Sequence, residues 1–230
     1  MRAYALHGID DLRLEETVLP EIKEREVLVK VMAAGICGSD IPRIYKTGTY
    51  SYPLTPGHEF SGTVIKTGLE ADKKWMGKRV GIFPLIPCGE CEPCRKKQYE
   101  MCRHYSYLGS RTNGGFAEYA AVPEENLIEL PEEVSYEVAA MLEPMAVAVH
   151  AMRKSGVTKE NTVVVYGLGT IGLLLCMFLL DAGVRDIYVI GNKEFQKRMA
   201  DSLGISETHY CDCRTREVSK WLQEQTGGRG

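Results

Sequence analysis

Four cysteines stand as Cys88-x-x-Cys91-x-x-Cys94, with Cys102 following after a gap of seven residues. Four thiolates complete a tetrahedral zinc shell, and spacings this short let one loop supply them all. Gly89 and Pro93 suit a tight knuckle. Two rivals stay open. One is a pair of disulfides. The other is an iron–sulfur run, whose bacterial form closes with a three-residue gap and a proline. Four sulfur ligands leave no open coordination position, so a zinc held here is expected to be structural. A second set is dispersed along the chain: Cys37 in Gly35-Ile36-Cys37-Gly38-Ser39-Asp40, His58 and Glu59 in Pro56-Gly57-His58-Glu59, and Glu143 in Leu142-Glu143-Pro144. Catalytic zinc takes three N, S or O ligands and keeps a fourth position for water or substrate. Taken singly, Cys37 reads equally as a small buried residue, His58 as a core histidine, and Glu143 as a helix-face carboxylate. Spacing alone does not bring the three together.

The third constellation is Gly167-Leu168-Gly169-Thr170-Ile171-Gly172. It follows an apolar strand pattern and opens an apolar helix pattern, the context in which G-x-G-x-x-G binds a dinucleotide. The first glycine makes the turn, the second admits the pyrophosphate, the third lets helix and strand pack, and the helix N-terminus attracts the phosphates. The bland alternative is a glycine turn before a core helix. About 20 residues on, a carboxylate would bind the ribose 2′-hydroxyl of NAD. The second strand instead ends in Gly191-Asn192-Lys193, with no acid. Gly191 is read as leaving room and Lys193 as supplying charge for a 2′-phosphate, which favours NADP(H) over NAD(H). The alternative is a solvated Lys193, with NAD bound through Asn192.

The elements that must position these groups divide near residue 145. The chain has 230 residues, 44% hydrophobic and 26% charged, the balance of a globular protein. At about 150 residues per domain, this is roughly one and a half domains. Residues 1–145 read as short strands and turns: 26–33, 62–65, 79–82 and 114–122, a barrel-like β domain. A helical stretch over 135–154, interrupted at Pro144, leads into the second part. There, strands at 161–166, 186–190 and 208–211 alternate with helices at 170–182, 194–203 and 214–225. That βαβαβα order predicts an α/β, doubly wound parallel sheet whose first strand is covered on both faces. Three strands are half of a six-stranded dinucleotide-binding sheet, so the chain reads as truncated, with Thr226-Gly227-Gly228-Arg229-Gly230 a loop leading onward.

Net charge is −3, which argues against a nucleic-acid partner. Residues 146–230 are mildly basic, the sign an anionic cofactor would meet. The longest apolar run, 171–180, is too short to span a bilayer. The N-terminus has no secretory pattern, and eight cysteines in such a chain point to a reducing, cytoplasmic setting.

Gly57-His58-Glu59-x-x-Gly62-x5-Gly68, with Cys37-Gly38-Ser39-Asp40 and the four-cysteine loop, resembles the zinc-containing medium-chain dehydrogenase/reductase family. The resemblance runs through all 230 residues. Leu142-Glu143-Pro144 is similar to the polyol, threonine and sugar-phosphate branch. So are the segments 41–46, 52–62, 84–88 and 108–111. The resemblance implies a GroES-like β-barrel over 1–145 and the N-terminal half of a Rossmann domain over 146–230. It implies two Zn2+ per subunit: a catalytic ion on Cys37, His58 and Glu143, with Glu59 an alternate or outer ligand, and a structural ion on Cys88, Cys91, Cys94 and Cys102. Hydride would pass between a nicotinamide and a secondary alcohol of a polyol or sugar phosphate. Sorbitol- or threonine-type substrates, or a fragment that holds zinc without catalysis, are the alternatives. A homo-oligomer, dimer or tetramer, is expected. Ser39 and Glu59 are candidate proton relays, and Arg43, Lys46 and Arg111 are candidate phosphate contacts, since Arg pairs bidentately with phosphate.

Overall fold

The computed structural model describes residues 1–228. The reading of Arg229 and Gly230 as a continuing loop lies outside those residues. The chain forms two compact units, Met1–Glu143 and Pro144–Gly230.

The first unit opens with a hairpin of β1 (Arg2–Gly8) and β2 (Asp11–Glu16). The hairpin carries no strong strand signal in the sequence. Its turn residue Asp10 takes a left-handed φ of 61°, without the glycine pair that flags most tight hairpins. Next come β3 (Glu26–Gly35), the single turn α1 (Asp40–Pro42), β4 (Glu59–Thr67) and β5 (Arg79–Ile82). Short β6 (Leu85–Ile86) and β7 (Ser106–Tyr107) bracket the one-turn helix α2 (Glu92–Arg95), and β8 (Tyr119–Pro123) and β9 (Leu127–Glu129) follow. Five strands form one antiparallel sheet in the order β8-β3-β4-β5-β9. Its buried face follows the period of two. Val27 and Val29 of β3 join Phe60 and Val64 of β4, Val80 and Ile82 of β5, and Ala120 and Val122 of β8 in one cluster. The strand expected over 114–122 begins only at Tyr119. Gly114 is instead pressed onto the preceding loop, where an added Cβ would meet the Gly57 carbonyl oxygen.

The helical stretch breaks at Met141, between α3 (Tyr136–Ala140) and α4 (Leu142–Ser155), and not at Pro144. Pro144 is the third residue of α4, in the first turn, where a missing N–H costs no hydrogen bond.

In the second unit β10 (Val163–Tyr166), α5 (Thr170–Asp181), β11 (Ile187–Gly191), α6 (Glu194–Ser202), β12 (Tyr210–Asp212) and α7 (Val218–Thr226) alternate. The strands pair in parallel in the order β10-β11-β12. Strand β11 is buried at all five positions. Ile187 and Val189 enter one core with Cys176 and Leu179 of α5. Tyr188 and Ile190 enter another with Trp221 of α7. This two-faced cover is the doubly wound arrangement. Strand β10 departs from the expectation: Val164 is 42% and Tyr166 72% exposed, because no described element covers that face. Helix α7 starts at Val218, not 214. Asp212 accepts from the backbone and side chain of Arg214 and so holds a turn there, while the Glu217 carboxylate caps the helix. Among the described residues, no helix is long and apolar enough to cross a membrane.

Phe60 is the largest fully buried side chain of the first unit. Phe60→Ala is expected to destabilise that unit by about 3–5 kcal/mol, read as a lowered urea midpoint.

Candidate functional site

Strands β3 and β4 run antiparallel, with Gly35 opposite Glu59. That pairing removes the separation in sequence between the Cys37 and His58 motifs. The Glu59 carboxylate folds over Gly35, where an added Cβ would lie 2.5 Å from Glu59 Oε2. The ligand atoms of Cys37, His58 and Glu59 all fall within 4.8 Å of one another. His58 and Glu59 are buried and Cys37 is half-buried.

Beneath the cluster lies Asp40, with no solvent exposure. Its carboxylate accepts from the Cys37 backbone N–H at 3.0 Å and from Arg43 Nη1 at 2.7 Å, and it stands 3.5 Å from His58 Nδ1. His58 Nδ1 makes no hydrogen bond, and with the Asp40 carboxylate facing it, Nε2 is the nitrogen turned toward a metal. Burial by itself would lower the His58 pKa. Asp40, Glu143 and Glu59 outweigh burial and raise it. Burial raises Glu59, opposed by its bond with Cys37 and the charge of His58. Burial also raises the Cys37 thiol, opposed by hydrogen bonds from Ser39. A cation is the missing partner for such a set: two acidic ligands kept from ionising by burial, beside an imidazole turned by a carboxylate. These residues therefore fit a zinc ion.

The assembled trio differs from the expected one in a single carboxylate. Glu59 stands with Cys37 and His58. Glu143, at the start of α4, instead accepts a 3.2 Å hydrogen bond from Tyr107 Oη. Burial, then the charge of Glu143, raises the Tyr107 pKa, so the hydroxyl stays a donor. Tyr107 also presents its ring to His58 in an edge contact, with centroids 5.8 Å apart. Asp40 and Tyr107 are the functional residues that sequence reasoning did not assign. The Cys-x-x-Asp spacing was a legible signal for Asp40, since α1 turns that residue back under its own loop. Nothing in the sequence marked Tyr107.

The four-cysteine loop closes on itself. Cys88 and Cys94 sulfurs lie 3.9 Å apart, Cys91 and Cys94 3.4 Å, and Cys91 and Cys102 3.9 Å. A tetrahedron of about 2.3 Å Zn–S bonds has edges of about 3.8 Å. The sulfurs enclose room for one ion, and all four are free thiols, so no disulfide competes. Backbone N–H groups of Arg103 and Cys94 draw the Cys91 thiol down to about 6. Burial, then Cys91 and the other thiols, pushes Cys94 up to about 12. Thiols this close ionise together only around a cation.

In the second unit Gly167 has φ +99° at the end of β10, and nothing lies within 4 Å of an added Cβ on Gly167 or Gly169. The backbone there is open to a ligand at the start of α5, beside Thr170 and Ile171. Gly172 is opposite in kind: its Cβ would lie 1.9 Å from the Gly167 carbonyl oxygen, so helix and loop pack glycine to glycine. At the tip of β11, Gln196 Oε1 accepts from the N–H groups of Asn192 at 2.9 Å and Lys193 at 3.1 Å. At Gly191 there is no room for a side chain. Tyr210 Oη and Gln196 Oε1 fill that space, 2.8 and 3.0 Å from an added Cβ. Lys193 has no carboxylate partner among the described residues, and its ammonium lies 5.8 Å from the Phe195 ring.

Of the expected phosphate contacts, Arg43 is bound to Asp40, Lys46 is exposed on the turn 43–47, and Arg111 lies between two tyrosine rings. Ser39 lines a cavity of about 370 Å³ with Arg43, Thr47, Gly48, Thr49 and Tyr50.

Residues 23–132 match the alcohol dehydrogenase GroES-like domain. Galactitol 1-phosphate 5-dehydrogenase of Escherichia coli (strain K12) is 39% identical over 198 residues, covering 86% of this chain. This chain belongs to the zinc-containing medium-chain dehydrogenase/reductase family. It spans 57% of the length of that relative. Among solved structures of this family, the E. coli galactitol-1-phosphate dehydrogenase superposes with TM-score 0.89 at 34% identity, covering 98% of this chain and 65% of its own. A zinc-binding dehydrogenase from Sinorhizobium meliloti 1021, solved bound to NADP, gives 0.89 at 30%, covering 95% and 64%. An alcohol dehydrogenase from E. coli CFT073, solved with NADH, gives 0.89 at 30%, covering 98% and 66%.

Asp40→Asn is expected to weaken zinc at the Cys37–His58 cluster about 10–100-fold, because the histidine and the Cys37 loop lose their orienting carboxylate. Chelator titration with metal analysis should then remove one zinc per chain early, while the four-cysteine loop keeps its own. Simultaneous loss of both would sink this assignment.

Proposed function

We propose that this chain carries the zinc sites and the pyrophosphate loop of an NADP(H)-dependent dehydrogenase acting on a secondary alcohol of a polyol phosphate. The single observation that carries the reading is the buried Cys37–His58–Glu59 cluster turned by Asp40, in a chain that also bears the open Gly167–Gly172 loop. Cys37 and His58 would hold the catalytic zinc, with Glu59 or Glu143 as the carboxylate ligand. Zinc bound there supplies a Lewis acid for the alcohol or carbonyl oxygen, and the nicotinamide carries the hydride.

The chain's own residues do the rest. Asp40 keeps the imidazole of His58 turned and the Cys37 loop closed. Ser39, bonded to Cys37 and lining the cavity, is placed to take the alcohol proton on its Oγ and pass it outward. Where Glu143 is the ligand, Glu59, within 4.8 Å of Cys37 and His58, is the second group placed to hold that proton. Gly167, Gly169, Thr170 and Ile171 would receive the pyrophosphate on open backbone, with Gly172 keeping α5 close. Gly191, Asn192 and Lys193 would meet the ribose. The unpaired Lys193 ammonium and the absence of an acid at the tip of β11 favour a 2′-phosphate. The polyol-phosphate reading is supported by the galactitol 1-phosphate relative. Eight free cysteines support a reducing, cytoplasmic setting.

Native mass spectrometry with NADPH tests the assembly, and two zincs with one retained cofactor per chain are expected. One zinc and no cofactor would overturn the reading. Ser39→Ala is expected to lower turnover about 10²–10⁴-fold with both zincs retained, and unchanged turnover removes Ser39 from the relay. Lys193→Ala is expected to raise KM for NADPH by about 10-fold and to leave KM for NADH nearly unchanged, as steady-state kinetics would read. Equal shifts for both cofactors would return Lys193 to the solvated surface.

A further inference from the structure

We propose that Arg111, held between Tyr50 and Tyr105, binds the substrate's phosphate monoester and so selects phosphorylated over free polyols. The inference rests on the dehydrogenase reading above and names the residue that would set its substrate class.

The Arg111 guanidinium carbon lies 4.0 Å from the ring centroid of Tyr50 and 4.5 Å from that of Tyr105. Two aromatic contacts hold a delocalised cation without neutralising it. No carboxylate pairs with Arg111, and no hydrogen bond occupies its guanidinium, among the described residues. The side chain is half-buried. A planar fork of N–H donors, already confined by its neighbours, loses little freedom on binding an oxyanion and matches phosphate bidentately.

Two connections link this arginine to the metal cluster. The Tyr107 carbonyl accepts from the backbone N–H of Arg111 at 2.9 Å, while the Tyr107 hydroxyl holds Glu143 and its ring abuts His58. Thr49 Oγ1 donates to the Ser110 carbonyl at 2.7 Å, tying the Arg111 turn to the segment that lines the cavity. That cavity runs from Ser39, beside the metal cluster, to Tyr50, whose ring lies against Arg111. A substrate with its carbinol near Ser39 would extend its far end toward Arg111. Arg43, the one cation among the residues lining the cavity, is already committed to the buried Asp40, and Arg111 stands behind Tyr50 at its rim. The free positive charge at the far end therefore belongs to Arg111.

The test uses the full chain with zinc bound. Inorganic phosphate is titrated calorimetrically into the wild type, Arg111→Gln and Tyr50→Ala. Loss of charge-assisted hydrogen bonds should weaken phosphate about 30-fold in Arg111→Gln, and loss of one aromatic face should weaken it about 3-fold in Tyr50→Ala. Circular dichroism and zinc content check that each variant is folded. In parallel, Arg111→Gln should lower kcat/KM for a polyol phosphate about 30-fold more than for the same polyol without phosphate. Equal phosphate affinity in wild type and Arg111→Gln, or an equal kinetic loss on both substrates, overturns the assignment. If neither substrate turns over while phosphate binding still depends on Arg111, the dehydrogenase reading fails and the phosphate site stands.

Discussion

The first unit depends on one buried carboxylate. Asp40 lies out of reach of solvent, and an ionised carboxylate there is tolerable only if its oxygens are satisfied. Two groups donate to them, the Cys37 N–H and the Arg43 guanidinium, and the His58 imidazole stands 3.5 Å away. The same contacts close the Cys37 loop, bring α1 beneath it and turn the histidine. Removing the carboxylate would leave a half-buried arginine unpaired and the ring free to rotate. Fold and site therefore share one electrostatic solution at this point, which is the usual logic of a metal ligand supported from behind.

The two ligand clusters differ in how they meet the cost of crowded acids. In the cysteine loop, four sulfurs sit near the corners of a tetrahedron, with one thiol eased toward ionisation and another forced away from it. An ion common to all four would relieve that frustration, and the loop would leave it no open position. The Cys37–His58–Glu59 cluster is mixed in chemistry, borders a cavity, and has a further carboxylate waiting on Tyr107. One site closes a loop and the other faces outward, and ligand type and surroundings make the difference.

Much of this was legible in the residues. The spacing of Cys88, Cys91, Cys94 and Cys102 is local, so it carried its geometry with it. The glycine loop was legible because strand, turn and helix follow one another directly, and the parallel alternation of the second unit followed from hydrophobic period. The less legible parts were non-local or were decided by side chains. The β1–β2 hairpin turns without a glycine pair. The α3–α4 break sits at Met141 because the first turn of a helix tolerates Pro144. Gly191 faces not an empty space but Tyr210 and Gln196, which arrive from β12 and α6. Arg111 and its two tyrosines come from separate stretches of chain, and no spacing rule predicts their stacking.

By itself, the sequence determined which chemistries were available: thiolate and imidazole groups in sets, a glycine turn of the pattern that suits phosphate, and a charge at the tip of the second strand. These are properties of residue type and short spacing. Only the tertiary structure decided which carboxylate stands with Cys37 and His58. The β3–β4 register places Glu59 over Gly35, and a tyrosine hydroxyl holds Glu143 to one side. Tertiary structure likewise decided that Arg43 is committed to Asp40 while Arg111 is left free. The reason is physical: a ligand set and a free charge are relations between side chains distant in sequence, and only packing brings them within a few ångströms.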